Sequence, residues 1–266
     1  MALSLASLWT DTRSFIRRES ALLIPLALAT FGLGQAVSIL VFGMANQSGW
    51  TSPLIIAMVV AILWTQVGYL SISALVIKPG ASVGEALSKG LSRLPALVVI
   101  AMTVALLISF ITIPFSIAAQ MNGVDLTKPS AAASLVVALP IAFIMLFMFA
   151  KLYLVFAALV DRNEGAMRTA MRAYALSRGK TFMLLSVALF FVLTFQLVQF
   201  FGALIASALF VSIFTALGSP VGGAVMVALT AGIAAAFPMV ASSVFSALLY
   251  RKLSEEGDMG SDIGGQ

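Results

Sequence analysis

Apolar residues in this chain come in long unbroken runs, not in strand-like alternation. Six runs stand out: Ala21–Met44, Ser52–Ile77, Leu94–Ala118, Ala131–Val155, Thr181–Leu204 or somewhat beyond, and Val221–Leu249. A helix needs about 20 largely apolar residues to cross a hydrocarbon core of about 30 Å. The pattern therefore predicts an all-α integral membrane fold with six transmembrane helices. None of the runs contains Asp or Glu. Strands of a membrane barrel are shorter and alternate apolar with polar residues, which these runs do not. The fifth run continues without a charge to Leu217. That is too long for one straight span and leaves three arrangements open: a tilt, a bend near Gly202, or a separate surface helix. The first run starts at Ala21 and has no small-residue cleavage site, so a cleaved signal peptide is not expected.

Between the runs the periodicity changes. Leu5, Leu8, Trp9, Phe15 and Ile16 fall on one helical face, with Asp11, Ser14 and Arg18 opposite. Val83, Ala86, Leu87, Leu91 and Leu94 make a second such face, and Met167, Ala170, Met171 and Tyr174 a third. Opposite the third face, Glu164, Arg168 and Arg172 stand at i, i+4, i+8. Amphipathic helices of this kind lie in the headgroup plane with the apolar face down. Ser82-x-x-Glu85 and Asp161-x-x-Glu164 each read as a capping box at a helix start. Ala86–Leu91 aligns without a gap with Ala166–Met171. These features predict three repeats of amphipathic surface helix plus transmembrane hairpin, with units of about 1–80, 81–160 and 161–253 in a single membrane domain. The acidic, glycine-rich residues 254–266 are expected to be a disordered tail.

Composition agrees and then narrows the chemistry. Apolar residues are 61% of the 266 and charged residues 9%. A soluble domain carries about 25% charged residues, so this chain cannot clothe a soluble surface. Placed on the six-span scheme, Lys and Arg fall 14 of 15 on one side, and only Lys128 lies on the other. By the positive-inside rule both termini are then cytoplasmic. The net charge of +5 belongs to that face and calls for anionic lipid headgroups as partners, not nucleic acid. The chain has no His and no Cys. That removes His general bases, Cys nucleophiles, disulfides and the usual zinc, haem and iron–sulfur ligands, so no metal or other cofactor is expected. No P-loop occurs. Carboxylate-free spans argue against a proton relay, and no polar stretch is long enough for a catalytic domain.

Polar groups inside spans are costly and therefore functional candidates. Gln35, Gln66, Gln196 and Gln199 are the notable ones; Gln196 and Gln199, three apart, share a helix face. Their two readings are hydrogen bonds between helices and contact with a solute or lipid. Thr65, Ser71, Ser73, Thr103, Ser109, Thr112 and Thr230 are expected to bond back to their own helices. Lys151, ten residues before Asp161, is expected to snorkel to the cytoplasmic interface. With Arg168, Arg172, Arg178 and Lys180 it forms a cluster suited to a phospholipid headgroup or another anion. Pro25, Pro114, Pro140 and Pro238 lie within spans and are expected to kink them. Gly32-x-x-x-Ala36 and Gly232-x-x-x-Ala236 are small-residue patterns that permit close helix packing.

The stretch Lys151–Asp161 leading into Gly165–Lys180 resembles a signature of bacterial multi-span proteins. These are the membrane domain of glycerophosphoryl diester phosphodiesterases and the YciC-like inner-membrane proteins. The ending Leu248–Leu253 is similar to that family's tyrosine-plus-basic terminus. The resemblance covers about the second half of the chain; in the first half only the topology corresponds. It implies a protein of the bacterial cytoplasmic (inner) membrane, with Lys151, Arg172 and Arg178 at the matching positions. The phosphodiesterases carry a soluble catalytic domain that this sequence does not contain, so their activity is not implied. The resulting expectation is a non-enzymatic multi-pass protein that engages lipid headgroups or a partner membrane protein. The alternative is a small-solute transporter or channel.

Overall fold

The computed structural model describes residues 4–121, 139–162 and 164–263, all within or between helices. Residues 131–138 of the expected fourth span, Lys128, and 264–266 of the expected tail lie outside the described residues. The helices are α1 (Leu5–Arg18), α2 (Ser20–Ala27), α3 (Leu33–Ser48), α4 (Ser52–Ile77), α5 (Val83–Met121), α6 (Leu139–Leu152), α7 (Val155–Asp161), α8 (Ala166–Leu176), α9 (Thr181–Ala206), α10 (Ser212–Ala216) and α11 (Pro220–Ile263). Among the described residues, π-helical segments at Leu28–Gly32 and Ser207–Val211 join α2 to α3 and α9 to α10. Among the described residues, six continuous stretches are long and apolar enough to cross a membrane: Ser20–Ser48, Ser52–Ile77, Val83–Pro114, Leu139–Asp161, Thr181–Ala216 and Val221–Glu256. By length and composition the chain is thus a multi-pass membrane protein.

Helix α11 is the axis of the bundle. It packs against α1, α3, α4 and α9, while α5 lies on α4 and α6 on α9. Glycine makes the tightest of these contacts. A Cβ at Gly232 would collide with the carbonyl oxygen of Gly32 and sit 3.0 Å from the Ala36 nitrogen, so α11 meets the first span backbone to backbone. The two small-residue patterns thus pack against each other. A Cβ at Gly68 would lie 2.5 Å from the Thr30 hydroxyl, and one at Gly34 would strike that of Thr65, which brings α4 equally close to the first span. Where hydrocarbon surrounds the protein, burial of apolar surface drives no association between helices, and such close contacts do the work instead.

The third span departs from expectation. No separate surface helix precedes it, because α5 runs unbroken through Pro95 and Pro114. Its start is the expected capping box: the Ser82 amide donates to Glu85 Oε2 at 2.8 Å, and the Glu85 amide donates to Ser82 Oγ at 3.2 Å. The second expected box does not form. Asp161 ends α7, and α8 begins at Ala166 with Gly165 at its N-cap. Asp161 and Glu164 turn to Arg172 instead.

The fifth span neither bends at Gly202 nor ends early. Through the π segment it continues as one helical stretch to Ala216 and turns at Gly218, whose φ is 71°. Residues 254–263, expected to be disordered, extend α11; Glu256 is held there by an ion pair to Lys180 at 2.5 Å. The helices continue through Pro95, Pro114 and Pro238, whereas α2 gives way to a π segment three residues after Pro25. The π segment after Pro25 leaves the Ala29 carbonyl available, and the Trp64 indole donates to it at 2.8 Å. The fourth span breaks at Tyr153–Leu154, between α6 and α7, with neither glycine nor proline at the break. At the break Tyr153 bonds Ser242, and at the end of α7 Asp161 bonds Tyr250, both pairs 89 residues apart, so α7 runs parallel to α11 and in register with it.

Candidate functional site

The basic ends of the helices form a connected layer. Asp11 of α1 pairs with Lys252 at 2.6 Å, and Lys180 with Glu256. Arg172 lies 3.7 Å from Glu164 and 4.0 Å from Asp161, with its guanidinium 5.8 Å from the ring centre of Tyr250. The Tyr250 hydroxyl donates to Asp161 at 2.8 Å. This group ties α7, α8 and α11 together at one point.

The structure divides the five cationic residues named from the sequence. Arg172 and Lys180 are committed to carboxylates. Lys151 does not snorkel: it is 7% exposed. Its ammonium donates to Thr181 Oγ1 at 2.6 Å and stands 5.1 Å from the ring centre of Tyr174 and 5.7 Å from that of Phe147. The amine at the end of α6 thus pins α8 and the start of α9, a favourable place for a cation next to a helix C-terminus. Arg168 and Arg178 are exposed and make no ion pair among the described residues.

Burying an ammonium without a carboxylate is expensive, and cation–π contact offsets only about 0.5–2 kcal/mol of it. Lys151→Met keeps the chain length and removes the charge, so thermal stability in detergent is expected to stay level or rise. Thr181→Val removes the hydrogen bond and leaves the charge, and is expected to cost about 1–3 kcal/mol. A larger loss for Lys151→Met than for Thr181→Val would show that the ammonium is net stabilising.

A second site lies among the spans. A cavity of about 330 Å³ opens between α4 and α9, over α11 and beside the α6–α7 break. Gln35, Gln66, Tyr69, Tyr153 and Ser242 line it with polar groups; Phe156, Phe191 and Phe195 line it with rings. None of the described lining residues is charged. The Tyr153 hydroxyl donates to the Ser242 carbonyl at 3.0 Å and stands equally far from the Ser242 hydroxyl. Tyr69 stacks on Phe156 at 5.0 Å between ring centres and meets Phe31, tilted by 56°, at 4.8 Å.

Of the four glutamines, two meet directly: Gln199 Nε2 donates to Gln35 Oε1 at 3.2 Å, joining α9 to α3. Gln66 lines the cavity with no hydrogen-bond partner among the described residues. Gln196 stands apart, exposed on the outside of α9. Three residues along a helix is a rotation of 300°, and the missing 60° turns Gln196 out while Gln199 faces α3. Thr65, Thr103, Ser109 and Thr230 bond to their own helices as expected. Ser71 and Ser73 are buried without a partner. Ser71 Oγ instead fills the space where Gly90 of α5 lacks a side chain.

Sequence reasoning missed Tyr69, Tyr153, Ser242 and Phe191. The local signal for them is faint, because Tyr, Ser and Phe are ordinary residues in a span and four different spans supply them. No protein-family model, no curated protein and no solved structure matches this chain.

Proposed function

We propose that this protein is a non-enzymatic component of the bacterial cytoplasmic membrane whose basic end faces the cytoplasm and engages anionic lipid headgroups. The observation that carries this reading is helix α8. Met167, Met171 and Tyr174 are 54–61% exposed along one side of it. Arg168 beside them and Arg178 just beyond are exposed and unpaired among the described residues. An exposed apolar edge flanked by free arginines suits a helix lying at the lipid surface, and each such cation near an anionic leaflet contributes about 1 kcal/mol. The one-sided distribution of basic residues supports cytoplasmic termini. A threefold repeat of surface helix and hairpin draws support from α1 and α8, both separate amphipathic helices; in the middle unit that helix has fused with its span.

Native mass spectrometry of the protein from nanodiscs of mixed phosphatidylglycerol and phosphatidylcholine tests the headgroup assignment. The wild type is expected to retain phosphatidylglycerol preferentially. Arg168→Gln with Arg178→Gln is expected to reduce that retention severalfold. Retention unaffected by the double substitution would leave a partner membrane protein as the ligand of this face.

A second reading, a small-solute transporter or channel, is favoured by the uncharged polar cavity among the spans. Proteoliposome uptake across a panel of neutral solutes tests it, and no uptake across that panel counts against it.

A further inference from the structure

We infer that the cavity among the spans is a binding site for an uncharged amphiphile: a hydroxyl- or ester-bearing head attached to a hydrocarbon chain. This goes beyond the headgroup reading and rests on none of its arginines. Four observations lead to it.

First, two polar groups are unsatisfied there. The Gln66 amide and the Tyr69 hydroxyl line the cavity and find no hydrogen-bond partner among the described residues. Neither belongs to the polar atoms sealed into packed protein without a partner, so both face open space. In a hydrocarbon setting each unmet polar group costs several kcal/mol, which a ligand bearing its own donors and acceptors removes.

Second, the described residues of the lining hold no charge. A phosphate or carboxylate entering it would lose its hydration with no cation to receive it. The ligand head is therefore neutral, unlike the headgroups assigned to α8.

Third, the wall that receives it is aromatic. Tyr69 and Phe156 stack in one plane, 27° apart, and Tyr153 and Phe191 in another, 23° apart. Such faces suit the aliphatic carbons of a polyol or glyceride head as well as hydrocarbon.

Fourth, the cavity has an apolar neighbour. A groove of about 360 Å³ between α1, α9 and α11 is lined by Trp9, Val187, Phe190 and Phe245. Phe191 lines both spaces, so the groove adjoins the cavity. A chain attached to a head in the cavity thus has an apolar space beside it. A free polar solute would leave that groove unused.

Competition in native mass spectrometry of the full-length protein tests this, with monooleoylglycerol as probe and oleate and glycerol as comparators. Monooleoylglycerol is expected to be retained at least tenfold more than oleate, and excess glycerol is expected not to displace it. Gln66→Met together with Tyr69→Phe keeps the packing but removes both polar groups. It is expected to cut retention about tenfold while phosphatidylglycerol retention stays at the wild-type level. Because the lost groups are unpaired, the ligand-free stability of this variant is expected to be level or raised, which separates a binding role from a structural one. Equal retention of oleate, displacement by glycerol, or unchanged retention by the double variant would each overturn the proposal. Arg168→Gln with Arg178→Gln is expected to leave monooleoylglycerol binding untouched, so this inference and the headgroup reading fail separately.

Discussion

Gly232→Leu is expected to prevent assembly of the six-helix bundle: no monodisperse peak on size exclusion in mild detergent, and a stability loss above about 4 kcal/mol. The argument is geometric. Even the first atom of the new side chain would overlap the Gly32 carbonyl oxygen and press to 3.2 Å on the Ala36 side chain. Overpacking in a soluble core is often relieved by side chains moving. Here the opposing surface is backbone, and it has no room to retreat. Gly32 closes the π segment that Trp64 holds by its bond to Ala29, and two residues on, Gly34 is already 3.2 Å from the Ala61 carbonyl for a built Cβ. Pushing the first span away from α11 drives it into α4. Gly43→Leu is the matched control, because a Cβ there meets nothing within 4 Å, and its behaviour is expected to be that of the wild type. A well-behaved Gly232→Leu protein with an unshifted melting midpoint would refute the contact.

Arg172→Met is expected to cost about 1–3 kcal/mol, below the scale of about 3–5 kcal/mol for breaking a fully buried ion pair because the cluster is part-exposed. Asp161 and Glu164 are only 30% and 32% exposed at their side chains, so water does not fully replace the lost cation. The two carboxylates would also repel each other. Tyr250→Phe, which removes one hydrogen bond to Asp161, is expected to cost about 1–2 kcal/mol. The combination is the sharper measurement. Arg172→Met and Asp161→Asn should be markedly less than additive, with a coupling of at least about 1 kcal/mol, since the second removes the charge that the first strands. Denaturant or thermal unfolding in one detergent gives all four corners of the cycle. Small, additive losses would mean that the cluster is a passive surface feature.

How far these features could be read from the sequence depends on the range of the interaction behind each. The spans are local: about 20 apolar residues in a row are sufficient, and all six were legible. The capping box at Ser82 is local too, and it formed. The one at Asp161 failed because two partners distant in sequence, Arg172 and Tyr250, compete for the carboxylate. Lys151 shows the same limit. Its apolar surroundings were visible, but Thr181 and Tyr174, which hold it inside, are brought near only by folding. The break at Tyr153–Leu154 carries no glycine or proline; the contacts made there, Lys151 to Thr181 just before it and Tyr153 to Ser242 within it, are with residues far along the chain. Of the cavity, Gln35 and Gln66 were legible because an amide in hydrocarbon is conspicuous. The tyrosines were not, since a phenol is unremarkable until its hydroxyl is found without a partner.

The spans differ greatly in length, and the bilayer has to answer for it. Helix α4 has 26 residues, about 39 Å at 1.5 Å per residue, whereas Thr181–Ala216 has 36, about 54 Å. The longer stretch stays apolar toward its tip, with Leu209 54% exposed and Leu217, at the turn, 72% exposed. A hydrocarbon layer of about 30 Å covers that flank only if the helix leans steeply or the surrounding lipids stretch. If the helix leans, the bundle presents a slanted flank along α9 and α10 and an upright one along α4. If the lipids stretch instead, the bilayer is expected to be thicker along α9 and α10 than along α4, and the lipids around the protein to sort by chain length from one side to the other.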